Sequence, residues 1–379
     1  MFRRALQGFG AVSLAVVVVV LPQTWEALGR APSGERLERM KRSPQWHEGT
    51  FANPEAIVND WTETLSALSA SADASPKVPL DVARPDISSP PASGLRVTWF
   101  GHASTLVEVD GQRILTDPMW SDRAGPLTWV GPTRYFPPVL KLEELGPIDA
   151  VVISHDHYDH LDHRTVIALQ RQVSKFIVPL GVGAHLEYWG IAPERIVELD
   201  WWEEVKLGEV TVASTPVRHA TGRQVLDRDE TLWSGYALVG PKHRVYFSGD
   251  TGLFSALEDI GERYGPFDVT MFEVGQYHRG WPDWHLGPEQ AVLAHQKVGG
   301  KVFLPIHWAL LTLAAHAWTE PVERALLAAQ HREVAITTPR PGQSFEPDLA
   351  LPSDRWWPTL PFETAEQHPV VSGNVHFRR

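Results

Sequence analysis

The sequence predicts an α/β fold in which two mixed β-sheets are sandwiched between outer helices, a four-layer arrangement. Two observations lead there. The first is an alternating strand at 95–100, followed by two strand-like runs at 104–109 and 113–116 that flank Asp110-Gly111, a dipeptide suited to a tight hairpin. The second is the succession of short apolar runs and helix-length runs over the rest of the chain, the pattern of a layered α/β domain. Further strands are expected at 150–154, 176–179, 195–199, 210–214, 234–239, 244–248, 269–273, 301–306 and 334–337. Helices are expected at 164–172, 182–189, 253–263, 288–297 and 321–331. No repeat of fixed short period is present.

The length, 379 residues, allows one large domain or two modest ones, and a hydrophobic fraction of 43% is enough for a sizeable core. The net charge is −12, from 34 basic and 46 acidic residues. That balance argues against a basic nucleic-acid groove. There is no cysteine, so disulfides and thiolate metal sites are excluded too. The 16 tryptophans are expected mostly in the core, with Trp281, Trp284, Trp356 and Trp357 as candidates for a lipid-facing surface, since indole suits a boundary between wet and apolar.

The chain opens with Arg3 and Arg4 before an apolar run from about Ala11 to Leu21. Residues 1–24 are expected to be an uncleaved signal anchor, the alternative being a secretory signal peptide. No Ala-x-Ala cleavage site follows the run. Positive charge lies beyond it as well, at Arg30, Arg36, Arg39, Lys41 and Arg42, so the charge pattern does not orient it firmly. Residues 25–94 are expected to form an extended segment and linker, rich in Ser, Ala and Pro from about Leu68. Residues 95–345 form the main domain and 346–379 a tail.

The chemistry is concentrated in Ser154-His155-Asp156-His157-Tyr158-Asp159-His160-Leu161-Asp162, directly after the apolar run Val151-Val152-Ile153. His-x-His-x-Asp-His places three imidazoles and a carboxylate within six residues. On a loop, His155 and His157 can reach one metal while Asp159 and His160 turn toward a second. Imidazole nitrogen and carboxylate oxygen suit zinc at roughly 2.0–2.2 Å, and iron, manganese or nickel can use the same ligands. One loop cannot close two sites. His219, Asp250 and His307 each follow an apolar strand, which would deliver them to the same rim.

His-x-His-x-Asp-His, a later His, an Asp within Ser248-Gly249-Asp250-Thr251 and a final His resemble the metallo-β-lactamase superfamily. The resemblance implies an αβ/βα four-layer sandwich with two zinc ions. His155, His157 and His219 would hold the first, Asp159, His160 and His307 the second, and Asp250 would bridge them. Gly101-His102-Ala103 is similar to the ascorbate-lactonase-like branch, and His102 is expected to brace the metal loops. Thr116-Asp117-Pro118 resembles the superfamily's supporting aspartate.

The blocks Leu199-Asp200-Trp201-Trp202-Glu203-Glu204, Phe51-Ala52-Asn53-Pro54 and Tyr264-Gly265-Pro266-Phe267-Asp268 narrow the match. They resemble the N-acylphosphatidylethanolamine-hydrolysing phospholipase D family, from about Trp46 to about Phe345. That likeness implies hydrolysis of a phosphodiester in a membrane lipid, giving phosphatidic acid and an N-acylethanolamine. Asp159 and Asp250 would orient the attacking water. His285, before a helix start, would protonate the leaving oxygen or bind a phosphate oxygen; a helix-capping role is its alternative. The chain departs from the family at Arg218, where Gln is usual, at Glu273, which replaces an apolar residue, and in the loop from His278 to Trp284.

The implied partners are a phospholipid and a membrane, with no nucleic acid, and the catalytic domain would face the periplasmic or extracytoplasmic side. A lactonase or amidase is the second reading, because the same chemistry can attack a carbonyl. A membrane-tethered binding protein without catalysis is the third, and the full ligand set argues against it. If residues 1–24 are the anchor, a chain lacking them should fractionate as a soluble, active protein after a high-salt wash; retention on membranes would place the lipid-binding surface on the main domain.

Overall fold

The computed structural model describes residues 21–60, 63, 71–224 and 226–378. The expected anchor falls mainly on residues 1–20, outside the described residues. Among the described residues no helix is long and apolar enough to cross a membrane.

The N-terminal segment carries two short helices, α1 (Leu21–Leu28) and α2 (Gly34–Met40), and a small hairpin of β1 (Trp46–His47) and β2 (Thr50–Phe51). The sequence pattern gave no sign of the helices, each only two turns long. They are held by the main domain: Ala27 and Met40 are buried, and the Trp189 indole donates to the Glu26 carbonyl at 2.7 Å.

Two seven-stranded sheets follow. The first contains β3 (Leu95–Trp99), β4 (Thr105–Val109), β5 (Gln112–Thr116), β6 (Ile148–Val152), β7 (Val173–Pro179) and β8 (Ile196–Leu199), with helix α3 (His163–Leu169) after β6 and α4 (Gly183–Tyr188) after β7. The second contains β9 (Glu204–Leu207), β10 (Val210–Thr215), β11 (Gly235–Val239), β12 (Arg244–Phe247), β13 (Phe267–Glu273), β14 (Gly300–Ile306) and β15 (Ala335–Ile336). Helices α5 (Leu257–Tyr264), α6 (Pro288–Lys297) and α7 (Glu320–His331) connect its later strands, and β16 (Ser344–Phe345) returns to the edge of the first sheet beside β3.

Each sheet is antiparallel at one end and parallel at the other. Strands β3, β4 and β5 form hairpin pairs, and β5 to β8 run parallel. In the second sheet β9 to β12 are antiparallel and β12 to β15 parallel. Parallel neighbours need long crossovers, which the helices supply.

Alternation along the strands builds the layers. Val107, Ile114, Ala150, Val152 and Ile177 face the second sheet and join its Val212, Leu238, Val245 and Met271 in the main core. Their neighbours Leu106, Leu115, Val151, Ile153 and Phe176 face the other way, onto Val166 and Leu169 of α3 and Leu186 of α4. This is the αβ/βα sandwich the sequence predicts.

Differences are local. Strand β9 escapes the sequence pattern because it is a short edge strand whose residues are half-buried or exposed. Helix α5 starts at Leu257, not at residue 253, because the Leu253 carbonyl is engaged by Arg218 Nη1 at 3.1 Å. The tail tryptophans are not lipid-facing. Trp357 is 5% exposed, meets Trp308 edge-on at 5.4 Å and donates to Glu323 Oε1 at 2.8 Å. Trp356 stacks at a tilt on Trp308, also at 5.4 Å. Replacing Trp357 with Ala should therefore cost about 3–5 kcal/mol of stability, the usual range for a buried large ring; a denaturant midpoint equal to wild type would mean the tail does not belong to the core.

Candidate active site

The loop after β6 brings the His-rich motif to the rim between the sheets. It is held rigidly. The buried Asp156 carboxylate accepts from the Gly222 amide at 2.8 Å and the Thr231 hydroxyl at 2.7 Å. Burial alone would raise the Asp156 carboxyl, but the nearby His185 and Arg223 hold it below its usual range. Arg223 Nη1 donates to the carbonyls of Asp156 at 2.6 Å and Leu161 at 2.9 Å, clasping both ends of the loop.

Two clusters form on this rim. The ring nitrogens of His155, His157 and His219 lie within 4.8 Å of one another, and so do the ligand atoms of Asp159, His160, His307 and His102. Asp250, at the end of β12, sits between them. Its Oδ2 is 3.2 Å from His160 Nε2 and 3.8 Å from His219 Nε2, and its Oδ1 is 3.1 Å from His307 Nε2. The seven residues singled out as metal ligands are thus brought together, with Asp250 in reach of both groups.

Contacts behind these groups aim them. Asp117 accepts from His160 Nδ1 at 2.7 Å and from the Ser154 amide at 2.7 Å. His102 Nε2 is 2.9 Å from Asp159 Oδ2, the bracing contact expected of it. His219 Nδ1 donates to the Trp284 carbonyl at 2.9 Å, so its Nε2 carries the lone pair. Fixing one ring nitrogen this way selects the tautomer that binds metal through the other. His219 Nε2 is buried without a hydrogen-bond partner. Such an orphan is expensive, and a divalent cation would satisfy it. The donor set is all imidazole and carboxylate, which fits zinc and its neighbours.

His102, Asp117 and His307 have positive φ, at 53°, 33° and 65°. Strained backbone at non-glycine residues is held in place only where the surroundings over-determine it, and here all three belong to the site. Gly249 is needed beside them: a Cβ there would lie 2.3 Å from the Ser154 Cβ.

Glu273 holds a position that the sequence did not reveal. It ends β13 fully buried. Its Oε2 lies 2.7 Å from His285 Nδ1 and 3.4 Å from His307 Nδ1, and its other oxygen accepts from the Thr251 amide. A lone carboxylate closing the run Val269-Thr270-Met271-Phe272 was the available signal. His285 does not cap the following helix, because Gly287 is the N-cap of α6. It points instead to this carboxylate.

The charges interlock. Burial works against the His307 imidazolium, but Asp250 and Asp159 overcome it and raise it to about 10. His160 is likewise pushed up by the same two carboxylates against burial. Burial would raise Asp250, yet His160 and His307 hold it well below the usual range. Burial lowers His285 to about 4, and burial with the Asp250 charge raises Glu273.

The clusters open into a cavity of about 420 Å³. Its walls include Asn59, Arg228, Gln276, Trp281, Trp284 and Leu313. The Arg228 guanidinium lies over the Trp284 ring, 5.0 Å from its centroid.

A family model described as a beta-lactamase superfamily domain matches residues 112–308, more than half of the chain. The chain belongs to the beta-lactamase superfamily. An uncharacterized protein of Mycobacterium tuberculosis (strain H37Rv) is 45% identical over 372 residues, covering 94% of this chain and all of that protein. An N-acyl-phosphatidylethanolamine-hydrolyzing phospholipase D of Caenorhabditis elegans is 40% identical over 229 residues, which cover 57% of this chain and 64% of the worm protein. Among solved structures, a metallo hydrolase of the archaeon Ignicoccus hospitalis superposes with a TM-score of 0.52 at 26% identity, covering 66% of this chain and 98% of the archaeal one. This superfamily member is a hydrolase with a candidate metal centre at the clusters described.

Two outcomes follow from the interlocked charges. In the metal-free hydrolase, the raised His307 contributes stability that is fully present below about pH 6.5, declines above it and is gone above about pH 10. The thermal midpoint of metal-free protein should fall over that window, and a flat profile would contradict it. Asp117→Asn should weaken metal affinity by about 10- to 100-fold, read by equilibrium dialysis against zinc.

Proposed function

We propose that this hydrolase is a two-metal phosphodiesterase that cleaves N-acylphosphatidylethanolamine-type phospholipids to phosphatidic acid and an N-acylethanolamine. The observation that carries the reading is a carboxylate, Asp250, shared by two histidine clusters that open into a pocket with indole walls and one guanidinium. The likeness to the worm phospholipase supports the substrate class.

His155, His157 and His219 would hold one zinc ion, Asp159, His160 and His307 the other, with Asp250 between. Two such ions make water a strong nucleophile at neutral pH and neutralise charge on a phosphoryl group undergoing in-line displacement. The chain's own groups do the rest. Asp159 and Asp250 orient the attacking water, whose proton ends on the departing N-acylethanolamine oxygen. His285 shares a proton with Glu273 across 2.7 Å. Because His285 is held down to about 4 and Glu273 is held up, that proton belongs to the carboxyl. His285 Nδ1 then accepts, and Nε2–H faces the pocket as a donor. This favours binding of a phosphoryl oxygen over full proton transfer to the leaving group. Trp281, Trp284 and Leu313 offer the apolar surface an acyl chain needs, and Arg228 a charge for the diester.

The deciding experiment is hydrolysis in isotopically labelled water. Label should enter the phosphate of phosphatidic acid, Asp250→Asn should abolish turnover while the fold survives, and His285→Ala should lower turnover with metal content unchanged. Label in a released carboxylate, or rapid lactone opening with no phospholipid turned over, would move the protein to the lactonase or amidase reading.

A further inference from the structure

Two of the places where the chain departs from the phospholipase pattern, Arg218 and the loop before His285, meet in space. Arg218 Nη1 lies 2.8 Å from Asp283 Oδ1, and the two side chains are 1% and 0% exposed. The pair is fully satisfied. Asp283 accepts from the Val58 amide at 2.9 Å and the Gly373 amide at 3.1 Å. Arg218 donates to the carbonyls of Glu55 at 3.3 Å, of Leu253 and Gly373 at 3.1 Å, and of Ala56. Apart from Leu253, these partners lie outside the span 112–308 that the superfamily domain covers.

The location of the pair is what gives it a consequence. Arg218 directly precedes His219, and Asp283 directly precedes Trp284, whose carbonyl fixes His219 Nδ1. The ion pair and that hydrogen bond are therefore adjacent rungs between the same two segments. A third rung ties in Asp250: the Arg218 amide donates to the Thr251 hydroxyl at 2.9 Å, and the Gly252 amide donates to the Arg218 carbonyl at 2.7 Å. Gly252 has no room for a side chain, since a Cβ would lie 2.0 Å from the Asp283 carbonyl oxygen. The loop thus rests directly on the turn that presents Asp250.

Burying an ion pair is seldom a net gain in stability over a well-packed apolar pair, because both charges lose their water. What it supplies is register: each charge tolerates only one arrangement of its neighbours. We infer that Arg218 and Asp283 are positioning residues for the metal centre. Their ion pair sets the Trp284 carbonyl against His219, hence the direction of the His219 ring, and it holds the Trp281 and Trp284 wall of the pocket. Through it the N-terminal segment and the tail become parts of the site.

The test uses the full chain, stripped of metal, with Arg218→Gln, Asp283→Asn and the double variant. Zinc affinity is read by competition with a chromophoric chelator, and hydrogen exchange is read over residues 281–285. Each single variant strands a buried charge; each should weaken zinc binding at least about tenfold, the scale of contacts behind a ligand, and speed exchange in the loop. The double variant leaves no buried charge without its partner and should recover most of both. Arg96→Gln, which breaks the buried Arg96–Glu108 pair on the β3–β4 hairpin, should lower the thermal midpoint and leave zinc affinity unchanged. Wild-type zinc affinity in folded single variants, or a loss no larger than that of Arg96→Gln, overturns the inference. If a single variant does not fold, the double Gln/Asn variant is compared with Arg218→Ala/Asp283→Ala: the former should bind zinc about tenfold more tightly, and equal affinities overturn it. The inference rests on the metal-binding reading of the site. A wild-type chain that takes up no zinc would sink that reading, whereas these variants sink only the inference.

Discussion

Asp250 lies within 4.0 Å of the ring nitrogens of His155, His160, His219, His285 and His307, and it is buried. A buried carboxylate must be paired or neutralised. Much of the surrounding architecture answers that requirement. Imidazoles converge from the loop after β6 and from the ends of β10 and β14, which bring together side chains far apart in the chain. Behind them, Asp117 takes the outward ring nitrogen of His160 and the Trp284 carbonyl that of His219. The result is a shell whose inner atoms face one another around Asp250 and offer a candidate metal centre.

The sandwich explains why one rim can hold so many groups. One half of each sheet is parallel, and the C-terminal ends of parallel strands are where loops carry chemistry in layered α/β folds. The loops after β6, β12 and β14 leave from such ends. They are heavily bonded to buried groups, which holds their side chains in one arrangement. The price is local strain at His102, Asp117 and His307, accepted because the core on both sides fixes the strand ends.

The chain carries an overall charge of −12, yet the proposed substrate is an anion. The conflict is only apparent. Distant surface charge is screened within roughly 10 Å at ordinary salt, whereas Arg228 at the pocket wall, and metal ions if held at the clusters, would act at contact range. On the proposed reading, pocket composition rather than net charge would govern which anion is accepted. The pocket combines a charged floor with indole and leucine walls, a chemistry suited to amphiphiles. Its walls come partly from Asn59, in the N-terminal segment, and the loop that bears Trp281 and Trp284 is held by the tail at Gly373.

Local sequence was enough for the layers and for the roster of the site. Period-two alternation in runs such as Leu95–Trp99 and the compact His-x-His-x-Asp-His motif are properties of neighbouring residues, and neighbouring residues suffice to read them. A supporting role for Asp117 and bracing by His102 were also expected, because those residues sit in recognisable blocks; that Asp117 supports His160 came from the structure. Other features could not be read locally. Helices α1 and α2 are too short to announce themselves and exist because the main domain holds them. Trp356 and Trp357 resemble surface tryptophans until the tail folds back onto Trp308. Glu273 looked like an odd residue in an apolar strand, and Arg218 and Asp283 like unrelated departures 65 positions apart. Each acquires a meaning only from a partner that is distant in the chain. A charge buried by tertiary folding is defined by what neutralises it, and that partner is chosen by how the layers pack.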